Sequence, residues 1–541
     1  MIADLKSQIL TKRIDISDRQ IVVAFNYNQN LVNLVKDIKP KGVFVNADKH
    51  WVFELDALEN VCKALIPVGF ELSDSTKKYI KNLEDERKTK TSTVANRKEV
   101  CMNFLKEDCI NWKYQPFDHQ WEGVEFLISL QAGILADMQG IGKTMTTLIT
   151  AKALQHYYNE DVVVYVLCPV SLQLNWIKEA ANVNMTIEVF SHAKIPLPPK
   201  YKKFILITDE VHAMQSMKSQ RSKAFLNLAL DVNCVHLYCL SGTPMKNGRP
   251  SNIYPVLKAC RHPIAVNRKF YDLRYCDAKQ TKFTKWDTTG ATNLEELSRE
   301  ISDILIRRTK DECLDLPPKI VQSIECQKTK ELELQYNRDI EELKEKYYER
   351  VSEGLISEVS EAIVFLGYFR RMASKYKIEE AVNMAQELLT QDESVVIFTE
   401  FKDTANTIAE RFGVQPFTGD TKLEERQKMV DDFQAGITKV FVGTIKAGGV
   451  GITLTKASYN LILDFPWTPG DLEQAEDRCH RIGTTRTVNI YNFYAKEIDY
   501  IMAAVIGQKS DKISQVLKKK KIDMSRERDS TFFIDLLQSL V

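Results

Sequence analysis

The chain has 541 residues, 44% hydrophobic and 27% charged, so it is an ordinary globular sequence too long for a single core. Its net charge is +1, which excludes a generally basic protein and leaves a local patch as the place for any nucleic acid. The cysteines form no C-x-x-C pair, so neither a zinc module nor a disulfide framework is indicated. No apolar run approaches the roughly 18 residues of a membrane span, and the first residues, MIADLKSQILTKRID, are too charged for a signal peptide. The expected setting is therefore intracellular, without a membrane.

Residues 1–75 read as a small α+β unit: a strand at QIVVAFN, a helix at NLVNLVKDI, a hairpin from VFVN to HWVFEL, and a second helix at ALENVCKAL. Trp51 in the hairpin is a candidate for stacking on bases, against the plainer alternative of core packing. Residues 76–100 are polar without an apolar stripe and read as a linker.

In PFDHQWEGVEFLISLQAG, the apolar residues make a helix face, and Gln120 lies near its start. A glutamine amide has the donor and acceptor needed to read adenine, though an isolated one is usually surface. The stretch ILADMQGIGKTMTTL follows, an apolar strand leading into Gly140, Gly142, Lys143 and Thr144 and then a helix. Strand, glycine loop and helix suit a phosphate cradle, in which Lys143 would reach the terminal phosphates and Thr144 hold Mg²⁺, against the plainer alternative of a glycine-rich turn with a surface lysine. Asp137 replaces the first glycine of the G-x-x-x-x-G-K-[ST] pattern.

Buried-strand patterns then alternate with helices: DVVVYVLCP, FILITDEVH and VHLYCLSGTP. This predicts a parallel sheet with ligands at the carboxyl ends of its strands, where Asp209, Glu210, Ser241 and Thr243 fall. Asp209 suits Mg²⁺ and Glu210 suits the orientation or deprotonation of an attacking water. Residues 311–379 read as a helical inter-lobe region, dominated by a long charged helix. A second series, VVIFTE, KVFVGT, YNLILDFPW and VNIYNFY, predicts another sheet without its own phosphate loop. Between its last strands, Gln474, Asp477, Arg478 and Arg481 recur at helical spacing. On one helix face the two arginines are either a solvated stripe or, opposite a nucleotide, arginine fingers.

These motifs, in this order, resemble the superfamily-two helicases, and within them the Swi/Snf-type translocases of double-stranded DNA. Gln120 matches their adenine-reading glutamine, ADMQGIGKT the phosphate loop and Asp209-Glu210-Val211-His212 the DExH box. The resemblance implies coupling roles for Ser241 and Thr243 in SGTP and a nucleotide contact for Gln474 in QAEDRCHRIG. It implies DNA contacts from Pro169 and Ser171 in CPVSLQLNW, and from Thr444, Lys446, Gly448 and Gly449 in TIKAGGVGITLT. SGTPMKNGRPSNIYPVL, RYCDAK, LDLPPK and VAFNYNQNLVNLVKDI…HWVF are similar to the annealing-helicase (HARP-bearing) branch, although its W-x-P-x-x-x-x-W-x-F core is reduced here to FVNADKHWVF.

The resemblance implies two RecA-like parallel-sheet lobes, 101–310 and 380–510, after a HARP-like DNA-binding domain, with a helical tail at 511–541. It implies ATP and Mg²⁺ as cofactors. The partners would be double-stranded and branched DNA, and the chain monomeric or weakly self-associating. Branch migration, fork regression or strand annealing is the implied activity. Displacement of proteins from DNA is the alternative enzyme, and a DNA-structure-binding scaffold with a vestigial ATPase the alternative of another class. The compartment would be the cytoplasm of a prokaryote or phage-infected cell, or a nucleus.

Overall fold

The computed structural model describes residues 12–17, 20–39, 41–46, 49–245, 248–280, 286–326, 330–352, 358–448, 451–495, 498–500, 502–503 and 506. The expected tail at 511–541 and Gly449 lie outside them. The chain divides into two units, residues 1–97 and 98–541.

In the first unit, β1 (Arg13–Ser17), β2 (Gln20–Ala24), β3 (Val43–Val45), β4 (His50–Glu54) and β5 (Glu71–Leu72) form a sheet in the order β3-β4-β2-β1-β5. All its neighbours are antiparallel except β1 and β5. Successive side chains alternate between faces, so Trp51 and Phe53 on β4 point the same way, into a core with Ile14, Ile21 and Val23. Helices α1 (Gln29–Asp37) and α2 (Leu58–Leu65) close that core with Val35, Val61 and Leu65. Trp51 is 9% exposed, with the Phe44 ring 5.3 Å from its own, so the base-stacking expectation is corrected: this indole is core.

Residues 76–100, expected as a linker with some helix, are helical throughout. They lie within one helix, α3 (Asp74–Asp108), whose Lys, Glu, Arg and Ala residues favour helix without needing an apolar stripe. Near its start Tyr79, Ile80 and Leu83 pack on the first core, and near its end Cys101 and Leu105 are buried in the core of the second unit.

In the second unit, lobe 1 is built on β6 (Ala132–Leu135), β7 (Val162–Cys168), β8 (Glu188–Ser191), β9 (Lys203–Thr208), β10 (Cys234–Leu240) and β11 (Leu305–Ile306). The order is β11-β6-β10-β9-β7-β8, all parallel. Because the sheet is covered on both faces, its strands are continuously apolar. On β9, Ile205 and Ile207 enter one core with Val124 and Trp176, while Phe204 and Leu206 enter another with Tyr254 and Tyr271.

Lobe 2 has β12 (Lys319–Glu325), β13 (Val395–Thr399), β14 (Val440–Thr444), β15 (Tyr459–Ile462) and β16 (Val488–Tyr494), parallel in the order β12-β16-β15-β13-β14. β12 corrects the reading of 311–379 as purely helical: it pairs with β16 from Lys319↔Val488 to Glu325↔Tyr494. An edge strand exposed along most of its length shows no apolar run, which is why KIVQSIE reads as connecting sequence. Among the described residues, no helix is long and apolar enough to cross a membrane.

Candidate active site

The loop after β6 turns on Gly140 (φ +83°) and Gly142 (φ +97°), in the left-handed region that suits glycine. Helix α5 (Lys143–Tyr157) starts at once, so its unpaired first-turn N–H groups point into the loop. Lys143 Nζ donates to Asp137 O at 2.8 Å and Met138 O at 3.1 Å. Burial lowers its pKa, opposed by the charges of Glu210, Asp137 and Asp209. Thr144, half-buried, follows on the same turn.

Asp137, the departure from the glycine pattern, has a structural reason. Its carboxylate takes a forked bond from Arg308, Nε at 3.1 Å and Nη2 at 2.5 Å, plus the Arg308 backbone N–H at 2.9 Å. Arg308 also donates to His119 O, which ties α4 (Asp118–Ser129) to the loop. Gln120 is similarly engaged: Oε1 accepts from Phe117 N at 2.9 Å and Nε2 donates to Gly142 O at 3.2 Å. One acceptor and one donor position of its amide stay free of these bonds.

At the end of β9, Glu210 adopts φ 48°, an unusual conformation for a non-glycine residue and one that concentrates at functional sites. Asp209 accepts from Trp176 Nε1 and from Glu210 N, both at 2.9 Å. Burial pushes its carboxyl up to about 6, with the charge of Glu210 adding to the effect. Burial acts on Glu210 too, but His212 Nδ1 at 3.1 Å, Lys143 and Gln139 outweigh it and hold Glu210 below the usual carboxylate range. Gln139, which donates to Glu210 Oε1 at 3.1 Å, is a site residue the sequence reading passed over. At the end of β10, Ser241 Oγ lies 3.1 Å from His212 Nδ1 and accepts from Thr243 N at 3.2 Å.

Lobe 2 completes the site from the segment before β16. The helix Pro469–Glu476 stops short of the arginines, which corrects the single helix face expected for Gln474, Asp477, Arg478 and Arg481. Past its end the carbonyls of Gln474 and Ala475, which a longer helix would use, accept from the side chains of Arg478 and Asn460, and those of Arg478 and Cys479 accept from Leu454 N and Thr484 Oγ1. Gln474, buried, receives Arg478 Nε on its backbone carbonyl at 2.9 Å. Arg478 and Arg481 each donate to Ile452 O at 3.2 Å. A Cβ at Gly140 would lie 3.1 Å from Arg481 Cγ, so this arginine rests directly on the phosphate loop. A Cβ at Gly470 would likewise lie 2.8 Å from the Thr243 methyl, so this glycine packs directly on Thr243.

The residues expected to touch DNA lie on segments outside the phosphate loop and the Asp209–Glu210 turn. Pro169 and Ser171, half-buried, precede α6 (Gln173–Asn182), and Thr444 is buried at the end of β14. Lys446 is exposed, and Gly448 packs on the Phe398 ring. A methyl at Gly451 would run into Leu172, so the two segments meet across the lobes.

Residues 119–194 and 183–377 match the SNF2-related domain, and residues 377–483 match the helicase conserved C-terminal domain. The chain is 27% identical to the SWI/SNF-related matrix-associated actin-dependent regulator of chromatin subfamily A-like protein 1 of Xenopus laevis, over 97% of this chain and 57% of that protein. It is 28% identical to the DNA annealing helicase and endonuclease ZRANB3 of Homo sapiens, over 85% of this chain and 45% of that protein. The chain thus spans about half the length of the curated relatives it matches. A solved Sulfolobus solfataricus SWI2/SNF2 ATPase core in complex with dsDNA is 20% identical over 76% of this chain and 98% of that one; its TM-score of 0.33 carries no argument. With both domains in order on two parallel-sheet lobes, the chain belongs to the SNF2-related helicases.

Proposed function

We propose that this chain is an ATP-driven translocase of double-stranded DNA that works on branched substrates, by branch migration, fork regression or strand annealing. The observation that carries the reading is the composite site. Lys143, Asp209 and Glu210 from lobe 1 converge with Arg481 from lobe 2, which rests on Gly140. A site divided between two lobes gives hydrolysis a mechanical consequence, because its turnover depends on their closure.

Magnesium-bound ATP fits the residues present. The left-handed glycines keep side chains out of the cradle. The buried Thr208 Oγ1, Thr243 Oγ1 and Arg481 Nε have no hydrogen-bond partner within the described residues. ATP supplies the phosphoryl group, and Mg²⁺ neutralises its oxygens. Lys143 and the loop N–H groups would hold the phosphates, and Thr144 and Asp209 the metal. Glu210 would take the proton of the attacking water, Gln120 and Gln474 would contact the nucleotide, and Ser241 and Thr243 would relay its state. Arg478 and Arg481 would face the charge that develops in the transition state.

On the DNA side, Pro169, Ser171, Thr444, Lys446, Gly448 and Gly449 would follow one backbone. Phosphate contacts suit a motor that must ignore sequence. The branched-DNA specificity draws on the relative named an annealing helicase. Within residues 1–97, where Trp51 is core, DNA contact would fall to exposed groups such as Phe44, Lys41 and Lys49. The test is a panel of forks, four-way junctions, bubbles, plain duplex and nucleosomes, assayed for stimulated ATP hydrolysis and strand exchange. Exchange on forks or junctions is expected. Stimulation by nucleosomes alone would favour displacement of proteins, and ATPase without exchange on any substrate would remove the branched-DNA role.

A further inference from the structure

Residues 305–319, LIRRTKDECLDLPPK, lead from β11 of lobe 1 to β12 of lobe 2, and their basic side chains divide between the lobes. Arg307 donates to Ala136 O at 3.0 Å and Gly242 O at 2.7 Å, and Arg308 pairs with Asp137. These two hold the root of the phosphate loop and the SGTP turn. Lys310 and Lys319 turn the other way. Lys310 Nζ lies 2.8 Å from Asp477 Oδ1 and donates to His480 O at 2.5 Å. Lys319 Nζ lies 2.9 Å from Glu476 Oε2 and 3.7 Å from Asp477 Oδ1. His480 Nε2 donates back to Pro317 O at 2.8 Å.

The joint is buried and sits at the phosphate loop. The side chains of Lys310 and Asp477 are 5% and 0% exposed, so neither charge has bulk water to fall back on. Lys310 also touches the phosphate loop itself: a Cβ on Gly140 would lie 3.6 Å from Lys310 Cε. A capping box of Thr309 and Glu312 opens the short helix Lys310–Cys313 and fixes where Lys310 starts. Asp477 immediately precedes Arg478, whose carbonyl is already anchored to Leu454 N.

We propose that Lys310 and Asp477 form a buried ionic latch between the lobes that seats Arg478 and Arg481 on the phosphate loop, which makes Lys310 a positioning residue for hydrolysis. This rests on the ATPase reading above. The latch contacts no phosphate; it sets the approach of residues that do, and a misplacement of about 1 Å can cost roughly a hundredfold in rate.

The test uses the full chain carrying Lys310→Met or Asp477→Asn, with spectroscopic labels at the exposed positions Val232 in lobe 1 and Ile437 in lobe 2. Turnover on duplex DNA is expected to fall roughly a hundredfold. Affinity for a fluorescent ADP should be unchanged, and the nucleotide-free separation of the labels should broaden. Adding Lys310→Met to a chain that already carries both Arg478→Ala and Arg481→Ala should slow turnover no further, because the latch then has no arginine left to seat. Turnover and label separation that match the wild type would overturn the latch, as would losses that multiply in the combined variant. Should Lys310→Met fail to fold, Asp477→Asn, which keeps the shape and one acceptor oxygen, carries the same readings. A wild-type chain without ATPase would refute the proposed function, and the label separation would still decide the latch: broadening supports it, no change overturns it.

Discussion

Each lobe has its own parallel sheet, and the charge cluster around Lys377 in lobe 2 is answered more completely than the one around Lys143 in lobe 1. In lobe 2, the fully buried Lys377 lies 3.0 Å from Asp464 and 2.7 Å from Asp499. Asp464 also accepts from Ser374 at 2.8 Å and Thr399 at 2.5 Å, which closes the set. In lobe 1, Asp209 and Glu210 are buried and Lys143 is half-buried, yet Lys143 donates to backbone carbonyls while nearby hydroxyls of Thr208 and Thr243 stay unanswered within the described residues. A closed network stiffens a core; an open one with shifted carboxyls is the form a ligand site takes. No glycine loop follows β13, whose chain passes through Glu400 and Phe401 into the helix Lys402–Phe412. On the proposed reading, lobe 1 would hold the nucleotide and lobe 2 would supply the arginines.

The comparison breaks first if lobe 2 contributes nothing to chemistry. Arg481→Ala should lower kcat by roughly a thousandfold or more while nucleotide affinity holds, because such arginines act on developing charge. Arg478→Ala should do likewise but also loosen the fold, since that side chain is buried and bonded to Gln474 O and Ile452 O. Equal losses in kcat and affinity would make these arginines ordinary binders. Next in size is Lys143→Ala, expected to lower turnover by roughly 10²–10³-fold with DNA binding intact. Filter binding beside an ATPase assay would show it, and comparable turnover would remove Lys143 from the site.

Acid should separate the lobes as well. His192 donates Nε2–H to Asp209 O at 2.9 Å, and burial drives its pKa down from 6.5 to about 4. The unfolded imidazole takes a proton near 6.5 that the folded one refuses until about 4, so stability falls as pH drops through that window, by roughly 3 kcal/mol. Burial works against Asp464, but Lys377 and the hydroxyls of Thr399 and Ser374 hold it below the usual carboxylate range. Its stabilising effect therefore lasts until below the ordinary carboxylate pKa. Asp209, raised to about 6, takes up a proton more readily when folded and works the other way between about 6 and the ordinary carboxylate value. The share of His192 is therefore read by hydrogen exchange as the difference in acid response of lobe 1 between the wild type and His192→Gln, with lobe 2 unchanged. No difference between the two chains would dissolve the contrast.

The smallest effect on the motor is expected from residues 1–97. Trp51→Ala should destabilise that unit by roughly 3–5 kcal/mol, as truncation of a large core side chain does. Phe44→Ala with Lys49→Ala should leave its stability nearly intact and weaken junction processing. Duplex-stimulated hydrolysis should survive both. Junction processing unaffected by the surface pair would leave this unit a packing appendage.

Much of this contrast was legible in the sequence, because catalytic side chains in parallel sheets cluster where strands end. Gly140 to Thr144, Asp209, Glu210, Ser241 and Thr243 each follow an apolar run. What was not legible depends on partners distant in sequence. Asp137 makes sense only beside Arg308, 171 positions on. The arginine turn copies helical spacing, and the carbonyls a longer helix would use accept instead from Asn460, distant in sequence, and from Arg478 itself. β12 is an exposed edge without the apolar signal of a central strand, and α3 is held at its two ends rather than along a face. Trp51 looks the same in a hairpin whether it faces a core or a base, and the register with β2 puts it inside.

The central claim is that the two lobes close together on nucleotide and DNA, and it is tested most directly by ATP hydrolysis with and without a plain linear duplex, across a salt series. The account predicts strong stimulation at low salt that fades as salt rises, since a chain of net charge +1 must bind DNA through a local groove and counterion release. A rate that is the same with and without DNA, at every salt concentration, would contradict it.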